Sequence, residues 1–117
     1  MGRSFVFAAL LAMAAPAMAK AQEWWVIVSF VDHPPFQWTD AVMDRANHLE
    51  RTLAPCGLGV WWDWTGKFDG FNPNGRGTVF VINTAQRLSK SQAQRILTLA
   101  RSCQPDAYIK QARYLGE

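Results

Sequence analysis

The sequence predicts an α+β fold of ferredoxin-like topology, with β-α-β-β-α-β order and a four-stranded antiparallel sheet carrying two helices on one face. Apolar runs typical of strands alternate with two segments of helical spacing. Each helical segment ends near a cysteine, and a constant shift superimposes the two halves of the chain. The matching pairs are Leu49 with Ile96, Leu53 with Ala100, Cys56 with Cys103 and Trp61 with Tyr108. A repeated strand-helix-strand unit packs with both helices on the same side of the sheet.

The first half of the chain supplies one strand, one helix and a second strand. Trp24 to Val31 is rich in β-branched and aromatic residues, which predicts a strand that is apolar on both faces. Thr39 is the expected N-cap of the helix and Pro55 its stop. A second strand is predicted from Leu58 to Trp64. The helix stripe consists of Val42, Ala46, Leu49 and Leu53.

The second half repeats this order after a turn-rich connection from 65 to 77. Thr78 to Asn83 is the predicted third strand. Ser89 and Gln92 have the spacing of a capping box, which predicts the start of the second helix. Asp106 to Tyr114 is the predicted last strand. The stripe of this second helix consists of Ala93, Ile96, Leu97 and Ala100.

Residues 1–21 have the pattern of a secretory signal peptide. A positive start at Arg3 precedes an apolar run, and small residues precede cleavage sites after Ala19 or Ala21. The alternative is a retained anchor helix, although the run is short for a bilayer and Pro16 interrupts it. Cleavage leaves 22–117 as one domain, and we expect it to be periplasmic or secreted in a bacterium, without stable membrane insertion.

The charge of this domain argues against a nucleic-acid ligand. Loss of Arg3 and Lys20 lowers the Lys and Arg total from 12 to 10 against 9 Asp and Glu, a net charge of +1. No basic cluster remains. Cys56 and Cys103 fit neither a CxxC motif nor a zinc pattern, so we expect no metal or cofactor. They are predicted to form a disulfide worth roughly 4 kcal/mol, the alternative being two buried thiols.

Four short motifs resemble the SPOR (sporulation-related repeat) domain of bacterial cell envelopes. Two of them are similar to the first and third strands of that family, namely Trp25-Val26-Ile27-Val28-Ser29-Phe30 and Val79-Phe80-Val81. The start of the family's second helix is similar to Ser89-Lys90-Ser91-Gln92-Ala93, and its last strand is similar to Asp106-Ala107-Tyr108-Ile109-Lys110. The resemblance covers most of residues 24–112. It implies a non-catalytic domain that binds peptidoglycan glycan strands from which the stem peptides have been removed.

Strand alternation predicts which sheet face binds this ligand. We expect the helices to cover Val26, Val28, Val79, Val81, Ala107 and Ile109. The opposite face is then aromatic with a few polar groups, as suits sugar rings. The predicted glycan-binding residues are Trp25, Ile27, Ser29, Trp61, Asp63, Phe80, Tyr108 and Lys110, with Thr78 and Ile82 on the same face. Loop residues Phe36, Trp38, Phe68 and Phe71 extend that face, while Trp62 and Trp64 take core positions.

Three alternatives compete with glycan binding. In the first, the 65–77 connection folds across the sheet and buries the aromatic face under Phe68 and Phe71, which gives a two-sided core. In the second, the same face docks another envelope protein. In the third, the protein is a small hydrolase that uses His33, but no nucleophile in a known motif accompanies this histidine, so the domain is predicted not to be an enzyme. We expect His48 at a helix surface and Asp40 and Asp44 at a helix start.

Overall fold

The computed structural model describes residues 23–71, 75–84 and 87–116. The predicted signal peptide, 1–21, lies outside these ranges. The secondary structure follows the expected order, with two additional short strands. In chain order the elements are β1 (Trp24–Val31), α1 (Asp40–Leu53), β2 (Val60–Trp64), β3 (Phe68–Asp69), β4 (Thr78–Ile82), α2 (Lys90–Ala100), β5 (Tyr108–Gln111) and β6 (Arg113–Tyr114).

Four strands form an antiparallel sheet in the order β2-β4-β1-β5. The predicted α+β class, four-stranded antiparallel sheet and two helices are therefore confirmed. In the numbering of the four predicted strands, this order is second, third, first, fourth. Across the described residues, neither helix has the length and apolar character needed to cross a bilayer.

Both helices pack on one side of the sheet, which we call the helix face. Val42, Ala46, Leu49 and Leu53 of α1 are all fully buried, as the predicted stripe requires. They share one cluster with Ala93, Leu97 and Ala100 of α2. The capping box of α2 is present, because Ser89 Oγ accepts from the Gln92 backbone N–H and Gln92 Oε1 accepts from the Ser89 N–H. This face holds the larger core.

The predicted disulfide between Cys56 and Cys103 is present. Cys56 lies in a 3-10 turn that follows α1, and Cys103 lies just after α2. The bond therefore joins the C-terminal ends of the two helices, at a Cα–Cα distance of 6.3 Å. It links the two halves of the domain across a sequence separation of 47 residues.

A two-stranded ribbon of β3 and β6, the strap, lies on the opposite side of the sheet, which we call the strap face. The strap forms because the predicted last strand is interrupted at Ala112, and the chain beyond it pairs with β3. Gly70 allows the close approach: a Cβ there would lie 3.0 Å from Gln111 O and 3.1 Å from Ala112 Cα, at a φ of +125°. Part of the turn-rich connection is therefore ordered by pairing across the sheet.

β1 contains a bulge that changes its alternation. The register with β4 passes from Ile27 opposite Val81 to Ser29 opposite Phe80, which leaves Val28 as the extra residue. The bulge carbonyl is not left unpaired, because the Gln104 side chain donates to Val28 O at 2.9 Å. Residues after the bulge therefore face the side opposite to the one that simple alternation predicts.

Candidate functional site: two grooves on the strap face

The structure corrects the predicted orientation of β4. Phe80 and Ile82 lie in the helix-face core, and Phe80 is 0% exposed. Val79 and Val81 lie on the strap face instead. Every residue of β4 is buried, and the four residues after Thr78 are all apolar, so the sequence shows no alternation of polar and apolar residues from which to choose between the two orientations. Phe80 therefore does not belong to the predicted open face.

Ser29 is also on the other side from the one predicted, and the cause is the bulge. It lies opposite Phe80 and accepts a hydrogen bond from the Arg45 guanidinium of α1. Phe30 takes the place that alternation assigns to Ser29 and is 42% exposed on the strap face. A polar group predicted for ligand binding is thus exchanged for an aromatic ring.

An aromatic cluster covers the centre of the strap face. Phe68 of the strap is buried and packs with Ile27, Val79 and Val81. This burial agrees in part with the alternative of a two-sided core, because Ile27 is only 2% exposed. Trp25 and Trp61 stack at 5.9 Å, and Phe68 meets Trp25 edge-on at 5.2 Å. These contacts hold the rings in fixed relative orientations.

Hydrogen bonds fix the polar atoms of this cluster. Trp25 Nε1 donates to Ala112 O at 2.8 Å, and the Tyr114 hydroxyl donates to Asp63 Oδ2 at 2.7 Å. Asp63 also accepts from the Trp64 backbone N–H and lies 3.7 Å from Lys67 Nζ. The Asp63 carboxylate is therefore engaged within the protein, although Asp63 is one of the predicted glycan-binding residues.

The strap leaves two grooves uncovered. The first, which we call the lysine groove, has a volume of about 240 Å³. Its floor is apolar, its rim carries exposed rings of Phe30 and Tyr108, and it has one cationic group, Lys110. Its lining residues are Ile27, Phe30, Thr65, Phe71, Val79, Tyr108 and Lys110. Three predicted binding residues, Ile27, Tyr108 and Lys110, thus meet here.

The second, which we call the tryptophan groove, has a volume of about 290 Å³. It contains two further predicted binding residues, Trp25 and Trp61. Its lining is completed by Ile82, Asn83, Thr84 and Tyr114. The two grooves share no lining residue, so the predicted single surface is divided into two concave sites.

Sequence reasoning missed several lining residues. Tyr114 lies in the predicted last strand and Asn83 at the end of the predicted third strand, while Thr65 lies in the predicted connection, and none of the three is among the predicted glycan-binding residues. The turn-rich segment 65–77 does not predict the strap, because β3 is only two residues long and shows no strand pattern in the sequence. Phe71 was expected to extend the surface from a loop, and it does line the lysine groove.

Another aromatic surface lies outside both grooves, on the loop after β1. Phe36 and Trp38 are 62% and 53% exposed. Their ring centroids lie 4.9 and 5.2 Å from that of Trp64. Trp64 is thus shared between the loop and β2 and is only partly buried. Asp32 pairs with Arg76 and His33 O accepts from the Gly77 N–H, which hold the loop at its base.

His33, the candidate catalytic base, is buried beneath that loop. Its Nε2 lies 2.6 Å from Thr78 Oγ1, and its Nδ1 lies 2.7 Å from Pro34 O. Both histidine and threonine are closed to solvent, so the contact ties the loop to β4. His48 lies on the exposed surface of α1, as expected. No three His, Cys, Asp or Glu side chains cluster with metal-binding geometry in the described ranges.

Comparison of the chain with protein-family models, with curated proteins and with solved structures finds no match.

Proposed function

We propose that this protein is a non-catalytic binding domain of the bacterial cell envelope and that its ligand is the glycan of peptidoglycan. The observation that carries the proposal is the lysine groove, which gathers Ile27 from β1 with Tyr108 and Lys110 from the neighbouring strand β5. Its exposed rings match the apolar C–H faces of a sugar, and its dimensions suit a small ligand. The signal-peptide pattern of residues 1–21 and the disulfide support an oxidising, periplasmic or secreted location.

Lys110 favours one form of the glycan. Peptidoglycan alternates an uncharged sugar with a sugar that carries a lactyl carboxylate, and removal of the stem peptide leaves that carboxylate free. An ammonium group beside exposed rings supplies a charged partner for this carboxylate. The peptide-free glycan is therefore the proposed ligand, in line with the SPOR resemblance.

The finer description of the fold belongs to the same proposal. We propose a ferredoxin-like arrangement, supported by the order second, third, first, fourth among the four long strands and by the packing of both helices on one face. In this arrangement the uncovered side of the sheet is the natural place for a ligand. The strap then narrows that side to grooves.

The experiment is a pull-down of the purified protein with intact and amidase-treated sacculi. Binding is expected to rise when the peptides are removed. Tyr108→Ala and Lys110→Gln are expected to weaken binding by about tenfold, because each loses a ring or a charged contact. Leu99→Ala and Arg95→Ala are matched controls, since both side chains are exposed on α2 at the opposite face. Absence of binding to either preparation contradicts the proposal.

A second candidate function is docking of another envelope protein. The exposed rings of Phe36 and Trp38 favour it, because they stand outside both grooves and offer contact area without a sugar-sized concavity. Aromatic side chains are enriched in protein interfaces. Cross-linking in intact cells distinguishes the two functions: a protein adduct that Trp38→Ala removes, without sacculus binding, supports docking.

A further inference from the structure

We propose that the tryptophan groove is a binding site for an uncharged sugar residue, separate from the lysine groove. The inference rests on the proposed function, because it assigns a second part of the same glycan. It follows from three properties of the groove: its aromatic surface, the side-chain amide of Asn83 at its rim, and the absence of charged side chains among the described residues that line it.

The aromatic surface is preorganised. Trp25 and Trp61 stack at an interplanar angle of 25°, and the Tyr114 ring meets Trp61 edge-on at 5.2 Å. Trp25 Nε1 and the Tyr114 hydroxyl both donate within the protein, which fixes the rings. Little side-chain entropy then remains to be lost on binding. A sugar ring packs its C–H groups against such a surface by dispersion.

The polar group offered to a ligand is the side-chain amide of Asn83. Asn83 is exposed at the rim of the groove, and only its backbone N–H is used to hold the chain, through Gly59 O at 2.9 Å. A primary amide both donates and accepts. This combination serves a sugar hydroxyl or an acetamido group, each of which also donates and accepts.

Charge distinguishes the two grooves. No Asp, Glu, Lys or Arg is among the described residues that line the tryptophan groove, whereas Lys110 lines the other. A carboxylate placed against Trp61, on β2, would lose hydration without gaining an ionic partner, because Lys110 lies on β5 at the other edge of the sheet. The uncharged sugar therefore suits the tryptophan groove, and the carboxylate-bearing sugar suits the lysine groove.

The two grooves are neighbours, because Trp25 of the tryptophan groove lies opposite Lys110 of the lysine groove in the β1–β5 pairing. Trp25 and Phe30, which line different grooves, lie five positions apart on β1, so the two grooves together extend over roughly 16 Å at the usual rise of a strand. One sugar does not span this distance, but a glycan chain does. Occupation of one groove raises the effective concentration of the chain at the other, so affinity increases with chain length until both are filled.

The test is calorimetric titration of the full chain with a neutral N-acetylglucosamine tetramer. Trp61→Ala is expected to weaken binding about tenfold, and Asn83→Ala several-fold, because they remove a stacking ring and a hydrogen-bonding group. Asn47→Ala is the matched control, since Asn47 is an exposed asparagine on α1. Added salt is expected to leave tetramer binding unchanged, because the tetramer carries no charge. The Asn83 side-chain amide is expected to shift in NMR spectra during the titration.

The inference is overturned if the tetramer does not bind while peptide-free sacculi do, a result that leaves the proposed function intact. It is also overturned if Asn83→Ala binds the tetramer normally and the Asn83 amide does not shift. This second criterion does not depend on the folding of Trp61→Ala. Failure of sacculi and tetramer alike defeats both proposals.

Discussion

The two faces of the sheet are covered in different ways. The helix face lies under two helices that bury an aliphatic stripe together with Phe80, and its central residues have no exposed surface. The strap face lies under a ribbon whose strands are two residues long, and Phe68 is its main buried side chain. Two helices cover more of a four-stranded sheet than a narrow ribbon does, and the ribbon leaves uncovered sheet on both of its own sides. The grooves are that space.

The side chains differ with the cover. The buried core of the helix face is mainly aliphatic around Phe80, while the strap face combines buried aliphatic residues with Trp25, Trp61 and Tyr114, whose surfaces remain partly accessible. Amphipathic rings tolerate partial exposure because their polar atoms are bonded to Ala112 and Asp63. One face therefore provides most of the stability, and the other provides a surface for a ligand at a lower degree of burial.

Replacement of Phe80 tests this division most strongly. Phe80→Ala is expected to cost about 3–5 kcal/mol of unfolding free energy, because a fully buried ring leaves a cavity between the sheet and both helices. Urea denaturation followed by circular dichroism measures the loss. Phe30→Ala, at a half-exposed ring on the strap face, is the control and is expected to cost less than about 1 kcal/mol. Equal costs would contradict the division.

Reduction of the disulfide is expected to lower stability by about 2–4 kcal/mol, since the bond closes a loop of 47 residues. Thermal unfolding with and without a reductant gives the effect. The double variant Cys56→Ala/Cys103→Ala is expected to match the reduced protein and to be insensitive to reductant. An unchanged melting temperature on reduction would show that the helix ends need no covalent tie.

Gly70→Ala tests how the strap is seated. The added methyl would lie against Gln111 O and Ala112 at a φ that favours glycine, so a cost of about 1–3 kcal/mol is expected. Hydrogen exchange is expected to increase in β3 and β6 while β1 and β4 keep their protection. Gly57→Ala is the control for backbone conformation alone, because it also has a positive φ, of +71°, and no neighbour within 4 Å of the added Cβ.

Tyr114→Phe has the smallest expected effect. It removes the hydrogen bond to Asp63 but keeps the ring, so we expect a loss of about 1 kcal/mol from urea denaturation. Lys67 still lies 3.7 Å from the Asp63 carboxylate, which limits the cost of losing the hydroxyl. A loss as large as that of Phe80→Ala would mean that the strap face contributes as much stability as the helix face.

Local patterns predicted much of the fold. The helix stripes, the capping box and the strands other than β3 and β6 each depend on residues close in sequence, and all were found near their expected positions. The disulfide was predicted from the signal-peptide pattern and from the presence of only two cysteines, which leaves no competing pairing. These features need no knowledge of which residues meet across the sheet.

The faces of β4 and of the end of β1 depend on that missing knowledge. The four residues of β4 after Thr78 are all apolar, so the orientation of the strand is decided by whether Phe80 or its neighbours fit better between the helices. The bulge at Val28 is stabilised by Gln104, which is distant in sequence. The strap is held by β3–β6 pairing and by the fit of Gly70 against Ala112. Each is a long-range packing outcome, and together they decide which residues line the grooves.

The bulge has one further consequence, for how this surface tolerates insertion and deletion. In a regular strand, side chains alternate between the two faces up to the end of the strand. The extra residue at Val28 reverses the faces of all residues that follow it in β1. Deletion of a single residue there would exchange Ser29 and Phe30 between the two sides of the sheet without altering their identities. The composition of the lysine groove is thus encoded in a residue count as well as in residue types.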